Sequence, residues 1–264
     1  MTDGKVRMRK EDALSIFMLW VDNLRMRRFF LSLKERENMR KTRYNTQKYI
    51  GIAIFSALSF VVALVCNIIP PVANFLSLDV KDAVIAIASF IYGPISAVII
   101  AFIAAFVEFI TFSTTGWYGF VMNFASSAVF SLTASLIYKR HRNINGALLS
   151  FFAAVVATTS VMLLLNRFVT PIYLFDYLKI MPPEAATEYV ISLLPTTLLP
   201  FNFAKALLNS AIAMMLYKPV ALALKKTGIV EKKGSTSFNK SSVIIIISGS
   251  VALAISLVIL FIIW

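Results

Sequence analysis

The amino-acid sequence predicts an all-α integral membrane protein, with a bundle of six membrane helices and one extra transmembrane helix at the C-terminal end. Of its 264 residues, 59% are hydrophobic and only 15% are charged, against about 25% charged residues in a soluble domain. Several uncharged apolar runs reach the ~20 residues that cross a bilayer as a helix. Basic clusters separate these runs, which is typical of a multi-pass protein of the bacterial cell membrane.

The polar residues 1–47 are predicted to be a basic cytoplasmic N-terminal extension. Thirteen of the 26 Lys and Arg residues precede residue 50, and such an arm contacts anionic lipid headgroups. We therefore interpret the net charge of +13 as the charge that orients the protein in the membrane. It predicts the lipid bilayer as a partner and no binding of nucleic acid. Met39 is an alternative start, because basic residues and then the first apolar run follow it directly, and "LKEREN" before it is encodable by a ribosome-binding sequence.

The apolar runs set the order of the predicted helices. "YGP" divides the second run, because proline starts helices well and breaks them inside. Glycine, serine and threonine mark "STTGWYG" as a turn before the next span. The predicted helices cover residues 48–69, 82–92, 94–112, 118–138, 146–169, 190–217 and 242–264.

The basic clusters predict the topology. The N-terminal arm, "KRHR" and the basic linker 219–241 belong on the cytoplasmic side, and an N-terminus inside with seven crossings satisfies all three. Residues 48–218 are then a six-helix membrane domain, and residues 242–264 are an additional helix. The loops 70–81, 113–117 and 170–189 are left outside.

Polar side chains recur at one depth of this bundle, toward the outer side. Lys205 is the only charged residue between Tyr189 and Leu216, although a lysine at the membrane centre costs about 2.5–3.5 kcal/mol on insertion scales. A charge inside the membrane indicates a functional site by default. The alternatives are hydrogen bonds between helices and a salt bridge of Glu108 with Lys205 or Arg167. The other polar residues at this depth are Asn123, Asn166 and Asn202.

Motifs of several enzyme classes are absent from the sequence. It contains neither a GxxxxGK[ST] phosphate loop nor HExxH. Its one cysteine, Cys66, excludes an intrachain disulfide and a cysteine metal cluster, and its one histidine, His141, lies in a basic loop. We therefore expect no catalytic residues and no metal. A membrane scaffold or enzyme built on a Lys–Glu pair remains as an alternative.

Four stretches of the chain follow one another in an order that resembles a known family. They are "LDVKDAVIAIASFIYGPISAVI", "MNFASSAVFSLTASLIYKR", "NRFVTPIYL" and "LPFNFAKALLNS". Together they resemble the substrate-binding S components of energy-coupling-factor (ECF) vitamin transporters, and most of all the riboflavin-specific ones, over about residues 48–230. The most specific pieces are the asparagine ahead of "PIY" and the "PFNxxK" motif. Arg167 departs from the pattern, since an aromatic residue is usual there.

The resemblance implies a six-helix bundle with one vitamin bound in a pocket that is open to the outside and lidded by the loop after the first helix. Asn166, Asn202 and Lys205 match the family residues that contact the flavin. Phe201, Phe203 and Tyr173 are expected to cover the ring faces. With Asn123 and Glu108 at the same depth, the predicted substrate-binding residues are Asn166, Asn202, Lys205, Asn123, Glu108 and Tyr173.

The resemblance also implies partner subunits. Ala53 and Ala57 match the Ala-x-x-x-Ala motif that docks on the ECF transmembrane coupling subunit, and two ATPase subunits supply the energy. The chain itself is then a transporter subunit and not an enzyme, with riboflavin as its transported ligand and no cofactor. Another flavin or vitamin-sized micronutrient is the alternative cargo for the same architecture.

Overall fold

The structure, a computed structural model, describes residues 10–72, 76–141, 144–226 and 240–263, and these residues are almost entirely helical. The all-α prediction is therefore confirmed for this part of the chain. Met1–Gln47 and Lys48–Trp264 form two compact units. Residues 227–239 of the predicted linker and Trp264 of the predicted last helix lie outside the described residues. The helices are α1 Lys10–Cys66, α2 Lys81–Tyr92, α3 Pro94–Thr111, α4 Gly116–Arg140, α5 Ile144–Ile172, α6 Pro183–Leu193, α7 Leu199–Lys226 and α8 Lys240–Ile263.

Six segments of the described residues are long and apolar enough to cross a membrane, so the chain is a multi-pass membrane protein. With only 12 residues, α2 is not among them. It runs antiparallel to α3, because Lys81 at its start hydrogen-bonds Glu108 near the end of α3. Gly93 joins the two helices at a φ of 94° that glycine adopts readily. The six segments are Asn45–Cys66, Pro94–Thr111, Gly116–Arg140, Asn145–Tyr177, Pro183–Tyr217 and Val243–Ile263.

The prediction that residues 170–189 form a loop is wrong, because helical structure extends into this range from both ends. After α5 the chain forms a π-helical turn, Tyr173–Tyr177, and α6 already begins at Pro183. Proline at the first position of a helix loses only an N–H that has no helical partner there, and π-helical turns absorb local strain in the ladder. A second such turn, Leu194–Leu198, contains Pro195 and joins α6 to α7. Only residues 178–182 of the predicted loop are non-helical.

The helix α7 is also longer than predicted. It continues past the expected end of the sixth span at residue 217 and reaches Lys226, so it takes in the beginning of the predicted linker 219–241. Lysines in the last turn of a helix interact favourably with its C-terminal carbonyl groups. The basic composition that indicated a linker is therefore compatible with a helix end.

Small residues let the central helices approach closely. Ala97, Ala101 and Ala105 recur every four residues on α3, and each is at most 1% exposed. Lipid tails are as apolar as leucine, so membrane helices associate through close van der Waals packing of small residues rather than through a hydrophobic driving force. The helix α4 packs on α3 and α5, and α7 packs on α2, α5 and α8.

The buried apolar residues form two clusters. The first lies in the centre of the bundle and includes Ile85, Phe130 and Phe151. The second lies where α4 begins, α5 ends and α7 begins, and it includes Tyr118 and Tyr173 together with Leu260 of α8. The second cluster forms the apolar wall of the candidate site.

Candidate functional site

A cavity opens where α4 and α7 begin and α5 ends. Its empty space is about 690 Å³, including open solvent at the mouth. The loop between α1 and α2 closes one side of it. The lining residues are Leu76, Ser77, Thr115, Tyr118, Gly119, Met122, Asn123, Ser126, Met162, Asn166, Val169, Thr170, Tyr173, Phe201, Asn202 and Lys205.

Two asparagines of the cavity are held by hydrogen bonds to the backbone of the preceding helical turn. The amide nitrogen of Asn166 donates to the carbonyl oxygen of Met162 at 2.7 Å, and the Thr170 hydroxyl donates to the Asn166 side-chain oxygen at 2.9 Å. In the same way, Asn202 donates to the carbonyl oxygen of Leu198 at 2.7 Å. Both asparagines are at least nine-tenths buried. Their orientation is therefore fixed before any ligand arrives.

Lys205 ties α7 to the loop between α1 and α2. Its ammonium lies 2.7 Å from a carboxylate oxygen of Asp79 and 3.2 Å from the carbonyl oxygen of Ser77. Burial alone raises the pKa of the Asp79 carboxyl, but the ammonium groups of Lys205 and Lys81 outweigh burial and hold that pKa below its ordinary value. The positive charge of Lys205 is thus balanced by the protein, which lowers the cost of placing it at a cavity wall.

Asn209, one turn further along α7, fixes the start of α2. Its side-chain oxygen accepts a hydrogen bond from the backbone N–H of Ala83 at 2.8 Å, and its nitrogen donates to the carbonyl oxygen of Asp79 at 3.0 Å. It is fully buried. Because an unpaired N–H at a buried helix start is costly, this side chain stabilises the junction of loop and helix.

The alternative interpretation of Glu108, a salt bridge with Lys205 or Arg167, is wrong. Glu108 instead pairs with Lys81 at the start of α2, and it accepts a second hydrogen bond from the amide nitrogen of Asn123 at 2.8 Å. Because α2 and α3 form an antiparallel hairpin, the start of α2 lies beside the end of α3. The Lys81 side chain can therefore reach Glu108. Arg167 lies elsewhere, with its guanidinium 5.8 Å from the centre of the Phe168 ring.

Aromatic side chains surround the mouth of the cavity. The rings of Tyr118 and Tyr173 lie 6.0 Å apart, and Tyr173 stacks on Tyr177 at 5.5 Å. The Tyr118 hydroxyl donates to Asp176 at 2.8 Å, which connects the start of α4 to the turn after α5. Gly116 has a φ of 59°, and a Cβ there would meet the Tyr177 ring at 2.9 Å. This contact explains a glycine at the first position of α4.

The structure brings most of the predicted site residues together. Five of the six predicted substrate-binding residues line the cavity, whereas Glu108 lies behind Asn123 and is absent from the wall. Of the predicted ring-covering aromatics, Phe201 is buried at the cavity, but the prediction for Phe203 is wrong because it points outward and is 37% exposed. Residues two apart on a helix diverge by about 200°, which separates Phe201 from Phe203. The five lining residues are Asn123, Asn166, Tyr173, Asn202 and Lys205.

Sequence reasoning missed two charged residues of the site. The sequence pattern places Asp79 and Lys81 in the loop 70–81, yet both are at least 95% buried in the structure. The sequence does not indicate that these two side chains are buried, since charged residues next to a predicted helix start are usually solvated. Thr115, in the predicted turn, and Ser126 also line the cavity, but neither short hydroxyl side chain indicates a binding site in the sequence.

The two alanines of the predicted docking motif lie on one exposed face of α1. Ala53 and Ala57 are exposed, whereas Ile52 and Phe55 beside them are about 95% buried. Residues four apart lie on the same side of a helix, so the two methyl groups form one small, flat patch.

Among the described residues, no three His, Cys, Asp or Glu side chains lie close enough together to hold a metal ion. The lysines Lys81 and Lys205 instead pair with the carboxylates of Asp79 and Glu108. The arrangement therefore offers hydrogen bonds and aromatic surface to an organic ligand.

Comparisons with known proteins find similarity to one family of membrane transporters. The family model described as "ECF transporter, substrate-specific component" matches residues 47–217. The riboflavin transporter RibU of Staphylococcus aureus is 28% identical over 183 residues, which are 68% of this chain and 93% of that protein. The riboflavin transporter FmnP of Bacillus subtilis is 22% identical over 174 residues, 65% of this chain and 90% of that protein.

A third curated relative and a solved structure agree with these matches. The riboflavin transporter RibU of Streptococcus thermophilus is 26% identical over 186 residues, 69% of this chain and 86% of that protein. The solved structure of the S component of a bacterial ECF transporter has a TM-score of 0.56 and 28% identity, and the match covers 69% of this chain and 99% of that one.

Proposed function

The chain belongs to the family of substrate-specific components of ECF transporters, and we propose that it binds riboflavin outside the bacterial cell and delivers it to an ATP-driven energising module. The observation that carries this proposal is the convergence of Asn166, Asn202 and Lys205 on one cavity. Three relatives that this chain matches over 86–93% of their length are riboflavin transporters. Riboflavin is then cargo rather than a cofactor.

The chemistry of the cavity fits a flavin. The flavin ring is flat and uncharged, with carbonyl oxygens, ring nitrogens and one N–H along its edge. Asparagine supplies both donors and acceptors and lysine supplies donors, while Tyr118, Tyr173 and Phe201 offer aromatic surface to the ring faces. Because Asp79 already balances the charge of Lys205, an uncharged ligand meets an electrically balanced wall.

The loop between α1 and α2 is proposed as the lid of this site. Leu76 and Ser77 of the loop line the cavity, and the loop is held on α7 through Asp79 by Lys205 and Asn209. A ligand that approaches Lys205 competes for the ammonium that holds the loop. Binding of the ligand and the position of the lid are thereby linked through one side chain.

The partners follow from the same proposal. With the N-terminus in the cytoplasm, as the basic N-terminal arm favours, Ala53 and Ala57 present their exposed patch to the transmembrane coupling subunit, and two ATPase subunits hydrolyse ATP. Small residues allow the two helices of such an interface to approach closely.

Ala53→Trp is expected to abolish riboflavin uptake while leaving the Kd of the purified chain unchanged, because the indole fills the contact surface and lies outside the cavity. Uptake of isotope-labelled riboflavin by cells and titration of the purified protein measure the two effects. The matched control is Leu164→Trp, which places the same indole on an exposed position of α5. Normal uptake by Ala53→Trp would exclude this face of α1 as the docking surface.

Transport itself is tested in a bacterial strain that lacks its own riboflavin transporter. Cells that express the chain with an ECF coupling subunit and its ATPase subunits are expected to accumulate labelled riboflavin, and an inactive ATPase variant stops this accumulation. If the chain assembles with the module and accumulates no riboflavin, the proposed function is contradicted.

A further inference from the structure

Glu108 lies beside the cavity without lining it. One of its carboxylate oxygens accepts a hydrogen bond from Lys81, whose side chain is only 2% exposed, and the other accepts one from the amide nitrogen of Asn123 at 2.8 Å. Asn123 in turn lines the cavity. We call these three residues the Lys81–Glu108–Asn123 relay. They lie at the start of α2, near the end of α3 and in the first half of α4.

The carboxylate decides which end of the Asn123 amide faces the cavity. A carboxylate only accepts hydrogen bonds, and of the two ends of an asparagine side chain only the nitrogen donates them. Asn123 must therefore turn its nitrogen toward Glu108. Within the residues that the structure describes, the Asn123 side-chain oxygen has no hydrogen-bond partner, and it is left for the cavity.

We propose that Lys81 and Glu108 are positioning residues for ligand specificity, because they hold Asn123 as a hydrogen-bond acceptor for an N–H or O–H group of the flavin. This inference rests on the proposed function. Riboflavin offers such donors in the N–H of its ring and in the hydroxyl groups of its ribityl chain. The carbonyl oxygens of the ring edge are rejected at this position, because two acceptors facing each other repel. Lys81 and Glu108 act only through Asn123.

Glu108→Gln inverts this arrangement with almost no change in shape. The Lys81 ammonium only donates, so it takes the single side-chain oxygen of the introduced glutamine. The amide nitrogen of that glutamine then faces Asn123, whose own amide must rotate to accept from it. The cavity consequently receives an N–H donor from Asn123 in place of an acceptor.

The experiment compares the Kd values of three flavins: riboflavin, riboflavin methylated on its ring N–H, and lumiflavin, which lacks the ribityl hydroxyl groups. The wild-type chain is expected to prefer riboflavin to the probe that lacks the donor opposite Asn123. Glu108→Gln reduces this preference by about tenfold, the value of one hydrogen bond of roughly 1.4 kcal/mol. Asn123→Ala removes the same preference, and the probe that responds identifies the donor.

Two further variants keep the test decisive. Lys81→Met/Glu108→Gln leaves no unpaired charge from the relay and releases Asn123 from its fixed orientation, so it also lowers the preference. Glu184→Gln is the matched control at an exposed position of α6 and leaves all three Kd values unchanged. Gel filtration and thermal melting in detergent verify that each variant is folded.

A merely structural role for Glu108 predicts a different result. In that case Glu108→Gln raises the Kd of all three flavins by one common factor, and the ratio of Kd values stays as in the wild type. This result would overturn the inference while the proposed function stands. A folded wild-type chain that binds none of the three flavins would overturn both.

Discussion

Lys205→Met is expected to raise the Kd for riboflavin by roughly tenfold to 150-fold, about 1.5–3 kcal/mol, the range for hydrogen bonds to charged groups. Methionine keeps most of the length and apolar contacts of lysine but cannot donate a hydrogen bond. The substitution also removes the 2.7 Å contact with Asp79 that holds the loop on α7. Quenching of flavin fluorescence during titration of the purified protein measures the Kd.

Lys139→Met is the matched control for this effect. Lys139 is exposed in the last turn of α4, whereas the cavity lies at the beginning of that helix. The same change of residue there should leave the Kd within about twofold, since a distant surface charge contributes little. An unchanged Kd in both Lys205→Met and Asn202→Ala, with both proteins folded, would remove α7 from the binding site.

Lys81→Met is expected to destabilise the protein by about 3–5 kcal/mol, because it leaves the buried carboxylate of Glu108 without its positive partner. Lys81 is also 3.7 Å from Asp79, so its removal withdraws positive charge from Asp79 as well. Unfolding of the purified protein in increasing concentrations of a denaturing detergent, or its thermal melting, measures the loss.

The double variant Lys81→Met/Glu108→Leu separates lost charge balance from lost packing. It removes both members of the pair, and it is expected to be more stable than Lys81→Met, because well-packed apolar residues often replace a buried ion pair at little cost. Asp79 keeps Lys205 as its partner in both proteins. If the double variant is less stable than Lys81→Met by the full cost of Glu108→Leu alone, the two side chains are not coupled.

The helices of this fold were largely predictable, because the bilayer requires long apolar segments whose backbone groups are paired internally. The division at "YGP" was also predictable, since proline and glycine act on the backbone locally, and it is found between Tyr92 and Pro94. The residues 170–189 were not predictable by the same rule. Pro171 lies inside α5 just before a π-helical turn, and Pro182 and Pro183 stand at the start of α6, so these prolines border helices instead of marking one long loop.

The candidate site was predictable where a polar residue interrupts an apolar run. Asn166, Asn202 and Lys205 are expensive to place in a membrane, so the sequence itself marks them. Asp79 and Lys81 carry no such mark, because they stand at the edge of a polar loop. Their partners lie far away in sequence, and Asp79 and Lys205 are 126 positions apart. Long-range pairing of this kind is fixed by the assembled bundle rather than by local pattern.

The most direct test of riboflavin binding is a titration of the wild-type chain purified alone in detergent, read by its visible absorption spectrum. We expect a yellow protein that binds one riboflavin per chain and that loses much of this binding in Lys205→Met. A folded, colourless protein that remains flavin-free at saturating riboflavin would contradict the assignment of this cavity to a flavin.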